Sequence, residues 1–573
     1  MRKKVVSLKH FHIKFLVCTM LIFTLVGCQS KKNGMIPLNE PITLSPLSIS
    51  ELAFSTYFGG RSDDSISVMK KDKDGNIYVG GETSSSDFPI KKAFQKEIHG
   101  NRDAFLSKIS PDGQLLWSTY LGGDNEFNHS PNMNWLYGGD MGELYNEVIN
   151  SIVITDEVIY VGGYTHAESF PDLKYSMPHQ YWFLNSFIAA FTTDGTLIYT
   201  MDIPYIEKNG YLVLQDFQWI NEDTIIMTGI QSLWENKLNG EYDYCIASLH
   251  FVEHEVGPFL HLNWKHTVPS WKGDQENNPE ENTALSYSFF SKRISKMSLS
   301  LYKNQTYIAC TTEYSGYNER RKTGIEASYH RQYGYIACYD VDGEILWDQY
   351  LKGKEKPEDQ NTSKEPYVKH YGNTFINKIV VNEKGIYLAG NTVATPEYPL
   401  PKQLIDPELA PDEMDQQNGF IAKMSHKGNL EYTYLIGGNN REEISDMVVD
   451  ADERIWVTGT TQSKNFPLVN QMQDSPIENQ AAFVSVFSPT LQLEYSTYWA
   501  GQGYDSIDEE KLTYDVNYKM RSNGECIVVG SNSFVIAGET TSNTFPVKNA
   551  FQEKHLINIT DVKTSIFLSF FTF

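Results

Sequence analysis

Cationic residues are scarce in this chain. Its 573 residues hold 48 Lys and Arg against 72 Asp and Glu, a formal charge of −24. Binding to a phosphate backbone needs clustered Lys and Arg, so the balance argues against a nucleic acid partner. Beyond residue 26 there is also no stretch of 18 or more apolar residues, the length a spanning helix requires. Motifs for chemistry are missing too: no Gly-x-Ser-x-Gly elbow, no His-Glu-x-x-His, no Walker loop and no dinucleotide glycine fingerprint. No cofactor and no metal is expected on these grounds. His250, His254, His261 and His266 gather in one region, but in a strand and turn, where residues four apart do not form a chelating helical pair. Global disorder is excluded, because 40% hydrophobic and 13% aromatic residues supply a sizeable core.

The N-terminus departs from the rest. Arg2, Lys3, Lys4, Lys9 and Lys14 precede an apolar run over 15–26 that is too short to span a bilayer, the pattern of a secretory signal. The run ends Leu25-Val26-Gly27-Cys28, which resembles the bacterial lipobox. That resemblance implies cleavage before Cys28 and a diacylglyceryl group on its sulfur. Each buried CH₂ contributes about 0.8 kcal/mol, so two or more acyl chains hold a soluble body at a membrane. Residues 1–27 are thus expected to be a lipoprotein signal peptide, and 28–50 a lipidated cysteine with a polar, Pro-containing linker. Removing 1–27 takes away five positive charges and no negative ones, leaving 43 basic and 72 acidic residues, a net of −29.

Residues 51–573 are built from repeats. Three kinds of segment recur seven times each, in a fixed order. The first is an alternating run that often ends Gly-Gly: AFSTYFGG (53–60), LWSTYLGG (116–123), EYTYLIGG (431–438), EYSTYWAG (494–501), and looser copies at 197–204, 262–269 and 346–353. The second includes IYVGGET (77–83), IYVGGYT (159–165), IYLAGNT (386–392) and IWVTGTT (455–461); the third includes DAFLSKI (103–109), GFIAKMS (419–425) and AFVSVFS (482–488). A further apolar run precedes most second-type segments, as at 65–71, 150–155, 377–382 and 445–450. Each is short, rich in β-branched and aromatic residues and bounded by turn formers, so each reads as a strand. Four strands per unit, repeated seven times, make an all-β, seven-bladed β-propeller of four-stranded antiparallel blades. The array opens on a first-type strand without partners and ends on a third-type strand without its fourth. The N-terminal strand is therefore expected to complete the C-terminal blade and close the ring.

These units resemble the SBBP (seven-bladed beta-propeller) repeat family, whose marks are STYLGG, IYVTGxT, TSSxxFP and DAFVxKxxxxG. The match is close in STYFGG…IYVGGETSSSDFP…DAFLSKISPDG (55–113), in IWVTGTTQSKNFP (455–467) and in AGETTSNTFP (537–546). Units three and four lack the Phe-Pro, and blade boundaries are hardest to read there.

Alternating meanders put the strand one-to-two and three-to-four turns on one face and the remaining connections on the other. The long insertions, over 122–146, 268–293, 352–373 and 501–523, all belong to the second face, the expected place for binding on a rigid scaffold. Its aromatic residues Trp135, Tyr137, Trp271, Tyr287, Phe289, Tyr367 and Tyr371 form the candidate binding face. The alternative is that these rings pin their own loops onto the blades. The turns Asp72-Lys73-Asp74-Gly75 and Asp340-Val341-Asp342-Gly343 invite a calcium reading but lack a distal Glu, and read as hairpin turns. Cys245, Cys310, Cys338 and Cys526 remain after Cys18 and Cys28 are set aside; a Cys310–Cys338 disulfide and buried free thiols are both open.

The expected function is a lipid-anchored, extracytoplasmic binding or scaffold module of a bacterial cell envelope, monomeric, whose partners are the membrane, through Cys28, and a protein or glycan. The rival is an exported hydrolase or lyase with an active site assembled from several blades at the channel mouth.

Overall fold

The computed structural model describes residues 47, 49–123, 147–167, 169–171, 185–203, 210–233, 243–253, 258–268, 297–317, 328–353, 372–394, 399–404, 417–475, 479–501, 521–556 and 563–573. Every regular element among them is a strand. The first, β1 (Glu51–Phe58), stands apart from the blade that follows it. Blade one is β2 (Asp64–Lys71), β3 (Ile77–Thr83), β4 (Asp103–Ile109) and β5 (Leu115–Leu121). Blade two is β6 (Val148–Ile154), β7 (Val158–Thr165), β8 (Asn185–Thr192) and β9 (Leu197–Asp202). Blade three is β10 (Gly210–Trp219), β11 (Thr224–Leu233), β12 (Asp243–Val252) and β13 (Phe259–Thr267). Blade four is β14 (Ser298–Tyr302), β15 (Gln305–Tyr317), β16 (Ser328–Tyr339) and β17 (Ile345–Leu351). Blade five is β18 (Thr374–Asn382), β19 (Gly385–Thr392), the short β20 (Gln403–Leu404), β21 (Asn418–Met424) and β22 (Leu430–Ile436). Blade six is β23 (Glu442–Val449), β24 (Ile455–Thr461), β25 (Ala481–Phe487) and β26 (Leu493–Trp499). Blade seven is β27 (Ser522–Val529), β28 (Ser533–Thr540), β29 (Ser565–Thr572) and, as its outer strand, β1.

The two ends of the array meet as the repeat order requires. β1 pairs antiparallel with β29 from Glu51↔Thr572 to Phe58↔Ile566. Phe54, Phe58, Ile66, Phe105, Val535 and Leu568 then share one buried cluster that joins blade seven to blade one. Middle strands are buried on both sheet faces, because each blade packs between two others; all seven residues of β25 are buried. That explains why the second- and third-type segments read as continuous apolar runs and not as strict alternation.

Adjacent blades are also latched by ring-on-glycine contacts. The Trp117, Trp264 and Trp347 indole N–H groups donate to the carbonyls of Thr193, Val341 and His426 in the next blade, at 3.0, 3.1 and 3.0 Å. Each indole lies against the turn glycine there: Gly195 (φ +89°), Gly343 (φ +86°) and Gly428 (φ +81°). A Cβ would meet the indole at 2.6–2.9 Å, so glycine meets two demands at once, a left-handed backbone and a close approach.

Blades three and four depart from the others where the Phe-Pro is absent. Their middle hairpins are longer, with β15 and β16 at 13 and 12 residues against seven for β3 and β4. In blades one, six and seven the segment after the Phe-Pro turns back along the outer strand and bridges it at Lys91↔Ser118, Val469↔Ser496 and Lys548↔Ser55. In blade five the short β20 pairs with the outer strand β22 in parallel, where the other three bridges are antiparallel.

A Cys310–Cys338 disulfide is not formed. Cys310 faces Tyr335 and Cys338 faces Tyr307, three rungs apart along one strand pair, and all four described cysteines are buried free thiols. The Asp-Gly segments are hairpin turns: Asp72 Oδ1 accepts from the N–H of Asp74 and Asn76, and Asp340 Oδ1 from those of Asp342 and Glu344.

Candidate functional site

The repeat marks prove to be structural. In STY-type strands the tyrosine hydroxyl donates to a serine carbonyl of the Thr-Ser-Ser segment and accepts from the N–H of the Phe before Pro. Tyr120 does so with Ser85 (2.7 Å) and Phe88 (3.2 Å), and Tyr498 with Ser463 (2.8 Å) and Phe466 (3.0 Å). Tyr57 of β1 makes the same pair with Ser542 (3.0 Å) and Phe545 (2.8 Å) of blade seven, which ties the ring closure to the motif. A buried carboxylate opens the inner strand of blades one and six. Asp64 accepts from Thr83, Ser85 and the Gly60 N–H, and Glu442 from Thr461, Ser463 and the Gly438 N–H. Burial pushes both up to about 7. Glu147 in blade two is raised further by burial and by nearby Asp103, and its Oε2 has no partner.

The innermost strands of all seven blades border an axial channel, whose cavity is about 140 Å³. Six of them carry a β-bulge at one equivalent place: Ile66/Val68, Ile149/Ser151, Leu214/Asp216, Ile376/Lys378, Ile444/Asp446 and Gly524/Cys526. The extra residue at each bulge is polar, and all six line the channel: Ser67, Asn150, Gln215, Asn377, Ser445 and Glu525. β14 has no bulge and contributes Ser298, next to Met297 just before the strand.

The residue after the bulge in β10 and β23, and Ser298 at the start of the unbulged β14, stitch one blade to another. The Leu299 N–H donates to Asp216 at 3.4 Å, the Ile379 N–H to Ser298 at 3.1 Å and the Ile527 N–H to Asp446 at 3.0 Å. Asp216 also accepts from Ser151 at 2.7 Å, and Lys378 pairs with Asp446 at 2.8 Å. Burial opposes the charge of Lys378, but Asp446 more than offsets it and holds the ammonium above its ordinary value; the same pairing holds Asp446 below its own. Lys70 also reaches the channel. Desolvation, and then the Lys378 charge, lower its pKa against the opposing pull of Asp216 and Asp446.

Cys28 and the aromatic set Trp135, Tyr137, Trp271, Tyr287, Phe289, Tyr367 and Tyr371 fall outside the described residues. Among the histidines, His250 and His261 are cross-strand partners on β12 and β13, and His254 is outside the described residues. Among the described residues there is no group of three or more His, Cys, Asp or Glu able to hold a metal. The channel residues were missed, although a signal was present: polar pairs such as Asn150-Ser151, Gln215-Asp216, Asn377-Lys378 and Ser445-Asp446 stand just before the apolar run of each inner strand.

The fold is thus a closed seven-bladed β-propeller with a polar axial channel. Within it, residues 53–89 match the family model described as Beta-propeller repeat (SBBP), so the repeat resemblance holds over β1 and the first two strands of blade one. No curated protein matches the chain. Similar solved structures include a protein of unknown function from Dyadobacter fermentans DSM 18053, at 10% identity over 91% of this chain and 98% of that one, with a TM-score of 0.33. A puromycin hydrolase is 10% identical over 87% of this chain and 55% of that one (TM-score 0.37). Trypanosoma rangeli sialidase in complex with sialic acid is 7% identical over 85% and 58% (TM-score 0.28). At these scores the likenesses decide nothing about function.

Proposed function

We propose that this chain is a lipid-anchored, extracytoplasmic binding or scaffold module of a bacterial cell envelope. It is tethered through Cys28, acts as a monomer, and receives a protein or glycan on its long-loop face. One observation carries the reading. The long connections 124–146, 269–296, 354–371 and 502–520 each run from an outer strand to the next inner strand, and so leave and return on one side of the ring. Turns on the opposite side are short and locked by their own Asp, Ser and Thr side chains, as at Asp72, Ser110 and Thr192. A rigid ring with all its elaboration on one side suits recognition.

The channel chemistry also favours binding over hydrolysis or elimination. A general base needs an available carboxylate or imidazole; of the three carboxylates that line the channel, Asp216 and Asp446 are engaged by donors from neighbouring blades and Glu525 is not free. The tether is tested by Cys28→Ser. The variant is expected to leave the membrane fraction and to lose the lipid mass; membrane retention with unchanged mass would overturn the anchor.

A further inference from the structure

Four blades cover their outer strand with a strap from the same chain; in blade four, among the described residues, that strand is bare. In blades one, six and seven one outer-strand residue exchanges backbone N–H and C=O with the strap. Ser118 does so with Lys91 at 2.8 and 3.1 Å, Ser496 with Val469 at 2.8 and 3.1 Å, and Ser55 with Lys548 at 2.8 and 2.9 Å. In blade five the Thr433 N–H donates to the Lys402 carbonyl at 3.1 Å. Asp348 of β17 holds the same place. It faces Ala337 as Ser118 faces Ser107, and the bulge falls at the same step in both strand pairs. Register therefore aims the Asp348 N–H and C=O away from β16, and among the described residues no backbone group meets them. Burial agrees: every residue of β5 but one is buried, whereas in β17 only Leu351 is. Ile345 and Leu346 are 46% and 47% exposed, with Val341 in the adjoining turn at 46%.

Two features say what would pair there. The chain's own straps bring lysine to this edge, as Lys91, Lys402 and Lys548. Lys91 Nζ goes on to donate to the Leu115 carbonyl at 2.6 Å, and Lys402 Nζ to that of Leu430, each the first residue of its outer strand. Ile345 is the corresponding residue of β17. The rim of blade four is also acidic, with Asp342, Glu344 and Asp348 all exposed. We propose that the outer edge of blade four is a docking strand for an extended, lysine-bearing segment of a partner protein, which pairs with β17 as the straps pair with β5, β26 and β1. Main-chain bonds to Asp348 hold the segment; its lysines meet the acids, and its apolar side chains cover Ile345 and Leu346. Blade three does not offer the same edge, because Lys265, at the equivalent place, is already engaged with Gln231. The docking edge is separate from the long-loop face and stands or falls independently of it.

The test uses the full chain in mild detergent and, as probe, the strap sequence 88–97 (FPIKKAFQKE) as a synthetic peptide capped at both ends. Fluorescence anisotropy should show saturable binding that weakens with salt, and hydrogen exchange should show protection confined to 345–351. N-methylating the peptide at Lys91 keeps its charge and removes the bridging N–H, and should weaken binding about tenfold. A peptide carrying Lys91→Glu and Lys92→Glu should lose about as much. In the protein, Glu344→Lys and Asp348→Lys should each weaken binding several-fold. The proposal is overturned if the peptide does not bind, if its N-methylated form binds equally well, if both protein variants bind as the natural chain does, or if protection falls on another blade. Sedimentation showing a peptide-free dimer that Asp348→Lys breaks would also overturn it, since the edge would then belong to a second copy of the chain.

Discussion

Tyr498→Phe removes one oxygen and leaves the ring in place, so it isolates the hydrogen-bond role assigned to the STY tyrosine. The hydroxyl serves two backbone groups, the Ser463 carbonyl at 2.8 Å and the Phe466 N–H at 3.0 Å, in a fully buried setting. The aromatic contact with Phe466, with ring centroids 6.0 Å apart, would remain. Losing the oxygen strands a buried acceptor and a buried donor, which costs about 1–3 kcal/mol. At roughly 2 cal/mol/K per residue, the unfolding entropy of a body of some 500 residues is about 1 kcal/mol/K, so a 2 kcal/mol loss lowers the melting temperature by only about 2 °C. A urea midpoint at fixed temperature is therefore the better assay, with slopes checked for equality between the variants. Tyr57→Phe should cost as much, because it makes the same pair across the seam between the chain's ends. A midpoint unchanged within error in both variants would refute the role assigned to the motif.

Other consequences follow from the same geometry. Deleting 564–573 removes β29 and exposes the edges of β1 and β28, so size-exclusion chromatography should show aggregated or opened protein; a monodisperse, fully folded truncation would count against closure. Gly428→Ala places a Cβ 2.9 Å from the Trp347 ring at φ +81° and should cost about 1–3 kcal/mol in urea unfolding, with a shift in tryptophan emission. Asp64 and Glu442 have folded values near 7, above their ordinary 3.8 and 4.5, so they bind more protons folded than unfolded. Their contribution is complete below about pH 4 and lost as pH rises through 7, at no more than about 1.4 kcal/mol per pH unit for each group. Urea midpoints should therefore fall from pH 5 to 8, less steeply in Asp64→Asn, and a rise with pH would contradict the assignment.

Ring closure was legible because the seven copies are out of phase with the ends of the chain: a lone STYFGG strand at the start has only the strand at 565–571 to complete. Inner strands of blades three and four were harder. β10 carries Asp216 and Gln218 within its apolar run, and β14 is only five residues long, so neither has a clean strand pattern. The polar pairs of the inner strands hint at the channel but do not place it. A bulge is a backbone event, and the turning of Asn150 or Ser445 toward the axis depends on its register with the next strand as well as on residue type. Nor did sequence distinguish Lys70 from Lys378; only the seating of Asp446 beside one of them does.

The most direct test of the central claim, that the ring is a scaffold for recognition at its long-loop face, is affinity capture from detergent-solubilised membranes with three forms of the protein. These are the natural chain, a variant lacking 269–293, and a variant with the opposite-face turn at 111–113 rebuilt, folding of each being checked by circular dichroism. The account predicts a discrete protein or glycan partner, enriched by the natural chain and the rebuilt-turn form and lost with 269–293. Equal capture by all three forms, or no enrichment by the natural chain, would contradict it.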